Sequence, residues 1–170
     1  MKPDLLFDFI PNKKDNTLKI VREFAADRQL VWDCYTKSEY LDLWFAPKPL
    51  IAKTKSMDFK NGGHWHYAMI TPEGEEYWGY TEFYDIHAID YYNTIDSFCD
   101  SNANINAELP KAKWHVEFVE KEENTIVEIN VQYESLTDLE TVLNMGMEEG
   151  MKSTLERLDE LILKLSKEEK

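Results

Sequence analysis

Few side chains in this sequence stand at spacings that support chemistry. His64 and His66 are two apart in a stretch of period two, so they share a strand face opposite Trp65 and Tyr67. Two such histidines with a carboxylate can hold zinc. Spacing marks no third ligand and the inferred face is the outer one, so they read as solvated surface residues and no metal is expected. His115 alternates with Trp114 and Val116 and points away from the apolar face, out of reach for a general base. Cys34 and Cys99 are the only cysteines and form no CxxC pair. They read as reduced thiols, with Cys34 on a buried helix face and inert. Arg22 falls on the apolar parity of its strand, and Glu82 shares parity with Trp78 and Tyr80. An inward Arg22–Glu82 pair would anchor a carboxylate, carbonyl or hydroxyl; otherwise it ties strand ends together, or a bulge turns one member outward. There is no nucleophile elbow, P-loop or dinucleotide fingerprint, because Gly62-Gly63 opens a strand. No catalytic residue and no cofactor is expected.

The rings say more. Trp65, Tyr67 and Met69 share one strand face, as do Trp114, Val116 and Phe118, and Trp78, Tyr80, Tyr84 and Ile86 can do the same. Trp44 and Phe45 end a short helix before Pro47. Facing them, a C-terminal helix offers Met147, Met151, Gly146 and Gly150. A mid-helix glycine costs about 0.8–1 kcal/mol relative to alanine. The two glycines either let the backbone pack closely or leave volume out to keep space. The rings either fill a core or surround an apolar cavity, which methionine would let adapt to its guest.

These residues need a scaffold, and the periodicity supplies it. Residues 5–10 and 17–24 read as strands joined by a polar turn. Asp27 caps a short helix whose buried face is Leu30, Val31, Cys34 and Tyr35, and Ser38 starts a second that ends near Trp44. Six strands follow at 50–59, 64–71, 76–87, 91–99, 111–120 and 125–133. From 138 to about 166 the period becomes 3.6, with Leu139, Leu143, Met147, Met151, Thr154, Leu158, Ile162 and Leu165 on one stripe. One helix of that length spans roughly 40 Å. Runs of strands closed by a helix argue a single α+β domain over 1–170 with an antiparallel sheet.

The formal charge of −14 repels phosphate backbones and anionic lipid, so neither nucleic acid nor a membrane surface is expected as a partner. The opening MKPDLLFDFIPNKK lacks the pattern of a signal peptide, and no stretch approaches the roughly 20 apolar residues of a membrane span. The expected location is the cytoplasm. The Lys167–Lys170 tail reads as a frayed end, and the strand at 5–10 offers an edge that could pair two copies into a homodimer.

Val21-Arg22-Glu23-Phe24-Ala25-Ala26, with Arg28, Val31 and Trp32, resembles the opening of the START-like (SRPBCC) superfamily. Trp44-Phe45-Ala46-Pro47-Lys48, the glycine-pair hairpin from Met57 to Met69, Trp114–Phe118 and Gly146–Met151 resemble the branch named after activators of the heat-shock-protein-90 ATPase. Ala46 stands where that branch usually has glycine. The resemblance implies a helix-grip fold, a sheet wrapped around the C-terminal helix with a cavity between them. It implies binding of hydrophobic molecules, with a minority of cyclases and hydrolases. The branch's name comes from a co-chaperone that carries a second domain, for which this chain has no room, so a chaperone partner is not expected.

Three functions follow as expectations. The first is a module binding a small hydrophobic molecule, lined by Trp44, Phe45, Trp65, Tyr67, Met69, Trp78, Tyr80, Trp114, Phe118, Met147, Gly150 and Met151, with Arg22 and Glu82 as polar anchor. The second is a cyclase or hydrolase using the same cavity through Arg22, Glu82 or Tyr67. The third is an interaction module docking a chaperone on the exposed sheet face.

Overall fold

The computed structural model describes residues 5–168. The first four residues of the expected N-terminal segment and the last two of the charged tail lie outside it. The chain runs β1 (Phe7–Asn12), β2 (Thr17–Phe24), α1 (Arg28–Thr36) and α2 (Ser38–Trp44), then β3 (Ile51–Asp58), β4 (His64–Ile70) and β5 (Glu76–His87). It continues with β6 (Tyr91–Cys99), β7 (Ala112–Lys121), β8 (Asn124–Tyr133), α3 (Leu136–Asn144) and α4 (Met147–Glu168).

All eight strands form one antiparallel sheet in the order β1-β2-β8-β7-β6-β5-β4-β3. The second strand pairs with the last, Ile20 opposite Ile129 and Phe24 opposite Thr125, which leaves β1 and β3 as edges. Alternation puts Leu18, Ile20 and Phe24 of β2 on the same side as Val116 and Phe118 of β7 and Val127, Ile129 and Val131 of β8. That face is buried against Leu30, Val31 and Cys34 of α1 and Leu155, Leu158 and Ile162 of α4. The architecture is the expected α+β helix-grip fold.

Local chemistry sets the entry of α1: the Asp27 carboxylate accepts from the Leu30 N–H at 2.8 Å, satisfying one orphan donor of the first turn. The four predicted inward residues of α1 are all buried. Glu23 of β2 is only 6% exposed, because its carboxylate accepts from Leu6 N–H and the Asn124 amide and faces Lys121.

The C-terminal helix departs from expectation. It is two helices, and the break falls at Met145-Gly146, where Gly146 has φ +86°. The Gly146 N–H donates to the Leu143 carbonyl, closing the end of α3 in the left-handed conformation that glycine adopts without a Cβ penalty. Helix α4, with 22 residues, is therefore about 33 Å long, still enough to cross the sheet.

Neither glycine keeps a space open. Gly146 is exposed outside α4. Gly150 is in the first turn of α4, where a Cβ would lie 3.9 Å from Pro47 Cγ, an ordinary contact. Opposite outcomes are expected for alanine at the two sites. Gly146→Ala forces a left-handed alanine and destabilises by about 1 kcal/mol. Gly150→Ala stabilises by up to about 1 kcal/mol, since its backbone is already helical. Urea unfolding of the two variants checks both signs.

Candidate functional site

A cavity of about 60 Å³ lies between the buried sheet face and the helices. Trp44 and Phe45, at the end of α2, wall one side with Tyr35 and Leu41, while Met151 and Leu155 of α4 close another. The sheet contributes Trp65 of β4, Thr81 and Phe83 of β5, Tyr92, Thr94 and Asp96 of β6, Trp114 and Val116 of β7, and Ile129 of β8.

Each tryptophan nearest α2 is held by its N–H. Trp44 Nε1 donates to the Cys34 carbonyl at 2.9 Å. Trp65 Nε1 donates to Thr54 Oγ1 at 2.9 Å, and Thr54 in turn donates to Asp42 on α2 through both its hydroxyl and its backbone N–H. Buried indoles with a satisfied N–H are fixed in orientation. Phe45 meets Trp65 edge to face, with centroids 4.9 Å apart. The Cys34 thiol is pushed up to about 12 by burial and by Asp33, which removes its nucleophilic form.

Of the expected cavity residues, Trp44, Phe45, Trp65, Trp114 and Met151 are brought together on the lining. Tyr67 lies just behind it, stacked on Trp65 at 3.9 Å. Phe118 is core, packed on Trp32 and Tyr35. Met147 accepts from the Tyr133 hydroxyl through its sulfur, and Gly150 adjoins Pro47. Met69 pairs with Ala52 of edge strand β3 and does not reach the cavity lining.

Strand β5 corrects the expected parity. Its buried positions are Gly79, Thr81 and Phe83, so Trp78, Tyr80, Glu82 and Tyr84 are on the other face. Gly79 faces inward because it is directly opposite Tyr67, and a Cβ there would come within 2.6 Å of the Tyr67 ring. The missing side chain is the seat of that ring. Beyond Tyr84 the register shifts, and Ile86 packs against the core although it shares even numbering with the outward residues. Glu82 therefore cannot meet Arg22. Arg22, 1% exposed, does point inward, but it pairs with Asp159 of α4 and donates to the Glu23 carbonyl, tying helix to sheet.

The charged group on the cavity wall is instead Asp96. It stands opposite Thr81 on β5, and Thr94 Oγ1 donates to its Oδ1 at 2.9 Å. Burial pushes its carboxyl up to about 6, against the lowering by hydrogen bonds from Thr94 and Thr81. Its charge also helps raise the phenols of Tyr67, Tyr92 and Tyr133, for each of which burial is the larger cause. A carboxyl so placed can exchange a proton near neutrality or face a cationic or hydrogen-bond-donating guest. The sequence held a signal for it: Asp96 has the parity of Tyr92, an aromatic strand residue.

On the opposite sheet face His66 is not solvated. It is 4% exposed, lies against Trp78 and Tyr80, and its Nε2 is 3.0 Å from the Asp100 carbonyl of the covering loop. His64 stacks on Tyr80 and contacts Ser56. Among the described residues no group of three His, Cys, Asp or Glu side chains is placed to hold a metal. His115 faces away from the cavity, 2.8 Å from the Asn93 amide oxygen.

The family model described as "Activator of Hsp90 ATPase homolog 1-like protein" matches residues 25–162. The chain belongs to this family. Every residue on the cavity wall falls inside the matched segment of this activator-homologue family. The fold recurs in the solution structure of a protein from Arthrobacter aurescens, 28% identical over 92% of this chain and 91% of that one, with TM-score 0.86. It recurs in the crystal structure of protein Ms6760 from Mycobacterium smegmatis, 30% identical over 93% and 96%, with TM-score 0.85. A solution structure from Staphylococcus epidermidis is 27% identical over 91% and 93%, with TM-score 0.80. No curated protein matches the chain. Among the described residues, no helix is long and apolar enough to cross a membrane.

Asp96 makes the stability of this family member depend on pH in a definite direction. The folded carboxyl keeps its proton up to about 6, whereas the unfolded one releases it near 3.8. Between those values the folded state binds more protons, so stability falls as pH rises and stays lower above 6. Asp96→Asn keeps the shape and removes the charge. The variant should be more stable than wild type by up to about 3 kcal/mol at about pH 7.5, with little difference at about pH 4. Urea unfolding across that range measures it.

Proposed function

We propose that the protein binds a small, largely apolar molecule in the cavity between the sheet and helices α2 and α4. One observation carries this reading: rings and aliphatic side chains surround unfilled space, and three polar residues, Thr81, Thr94 and Asp96, converge on it. That combination is the ordinary make-up of a small-molecule site. A filled core would bury the same rings without leaving a void, since protein interiors close-pack.

Size limits the guest. One water needs about 10–15 Å³ on this measure, and sites for drug-sized molecules run to about 300–1,000 Å³. At about 60 Å³ the cavity takes a guest of a few heavy atoms, or the short end of a longer one. Met151 is the wall residue most able to shift for a larger guest, because its unbranched side chain repacks with little cost.

Trp44, Trp65 and Trp114 report occupancy directly. Titration with 1-butanol and with benzyl alcohol should shift tryptophan fluorescence or indole N–H resonances saturably. Val116→Phe, which puts a ring into the void, should weaken both probes about tenfold or more while the protein stays folded. No saturable response to either probe, or equal affinity in the filled variant, overturns the reading.

A further inference from the structure

We propose that the cavity selects small organic cations, short-chain protonated amines, over neutral or anionic molecules of the same size. The inference rests on the binding reading above and deepens it. Three observations on the wall point the same way. First, the sole charged side chain among the described residues of the lining is Asp96, and no lysine, arginine or histidine stands there to neutralise it.

Second, the acceptor capacity of Asp96 is only partly used. An ionised carboxylate offers about four acceptor positions, and the hydroxyls of Thr94 and Thr81 take two. An ammonium group brings three donors and the opposite charge, so it satisfies what remains with charge-assisted bonds. A neutral alcohol supplies one weaker donor. A carboxylate supplies none and adds repulsion.

Third, the rest of the wall suits the remainder of such a molecule and its positive end alike. Four rings, those of Trp44, Trp65, Trp114 and Tyr92, stand on the wall, and rings of this kind attract a cation placed over a face. The volume of about 60 Å³ fits a chain of a few carbons. Outside the cavity, the net charge of −14 raises the local concentration of cations and lowers that of anions.

The test compares n-butylammonium, 1-butanol and butyrate, equal in chain length and different in charge, by tryptophan indole N–H shifts at neutral pH and moderate salt. The expected result is about tenfold or more tighter binding of butylammonium than of 1-butanol, with butyrate weaker still. In Asp96→Asn the preference of ammonium over alcohol should collapse to about onefold, with folding checked by the dispersed amide spectrum. If 1-butanol binds as tightly as butylammonium in the wild type, or the preference survives Asp96→Asn, selection for cations is overturned and the binding reading stands. If none of the three binds saturably, both fall.

Discussion

Arg22 reaches from the sheet to Asp159 on α4, and Arg157 of the same helix donates to the carbonyls of Ala46 and Leu50 at 2.7 and 2.6 Å. The Lys48 N–H adds a bond to Ser153 Oγ at 2.9 Å. Together they pin the terminal helix to the sheet on one side and to the segment after α2 on the other. The cavity is the space those anchors hold open. Met151 and Leu155 of α4 close one side of it, so a terminal helix free to slide would move that side relative to Trp44 and Phe45 at the end of α2. Removing one partner of a buried charge pair is costly because the other charge stays behind, and Arg22 is almost wholly buried. The arginine first considered as a ligand anchor is thus the one that fixes the geometry.

Within that frame two inward positions of β5 and β6 are spent in ways a close-packed core would not choose. Gly79 gives up a side chain to seat Tyr67, which backs Trp65 and sets its plane. Asp96 puts a carboxyl where a valine or leucine would fill space and add burial. A carboxyl raised to about 6 by burial opposes folding at neutral pH, and stability alone gives no reason to keep it. Both choices concern the shape or polarity of the wall, which places the interest of this fold on the cavity.

The strand and helix pattern was almost wholly legible, because a period of two between clear turns is a strong local signal. The helix-capping residue Asp27 and the inward residues of β7 were read from that signal and are where it puts them. Parity on β5 was not legible. Trp78 and Tyr80 look like core residues, yet they are partly covered on the outer face by His64 and His66, the latter held against the loop at Asp100. Hydrophobicity reports that a ring is covered, and not by what. The break at Gly146 was missed for a related reason: the apolar stripe runs through it, since α3 and α4 both present apolar residues to the interior. Asp96 escaped because a charged residue on a strand is read as solvated by default, and only tertiary structure shows what closes over it.

For a cationic guest the two negative features of the molecule act at different distances. Screening at physiological salt has a length of about 8 Å, so the surface excess of acidic side chains is felt mainly during approach. It raises encounter rates and makes them salt-dependent. Asp96 acts after entry, at contact distance on a wall of rings, where a partly buried pair is screened less than exposed charges are, so its interaction sets how long the guest stays. High salt should then slow association far more than it hastens release. A surface-charge effect alone would lose affinity with salt in any chain this acidic, whereas a salt-resistant dissociation rate requires a charge buried with the guest.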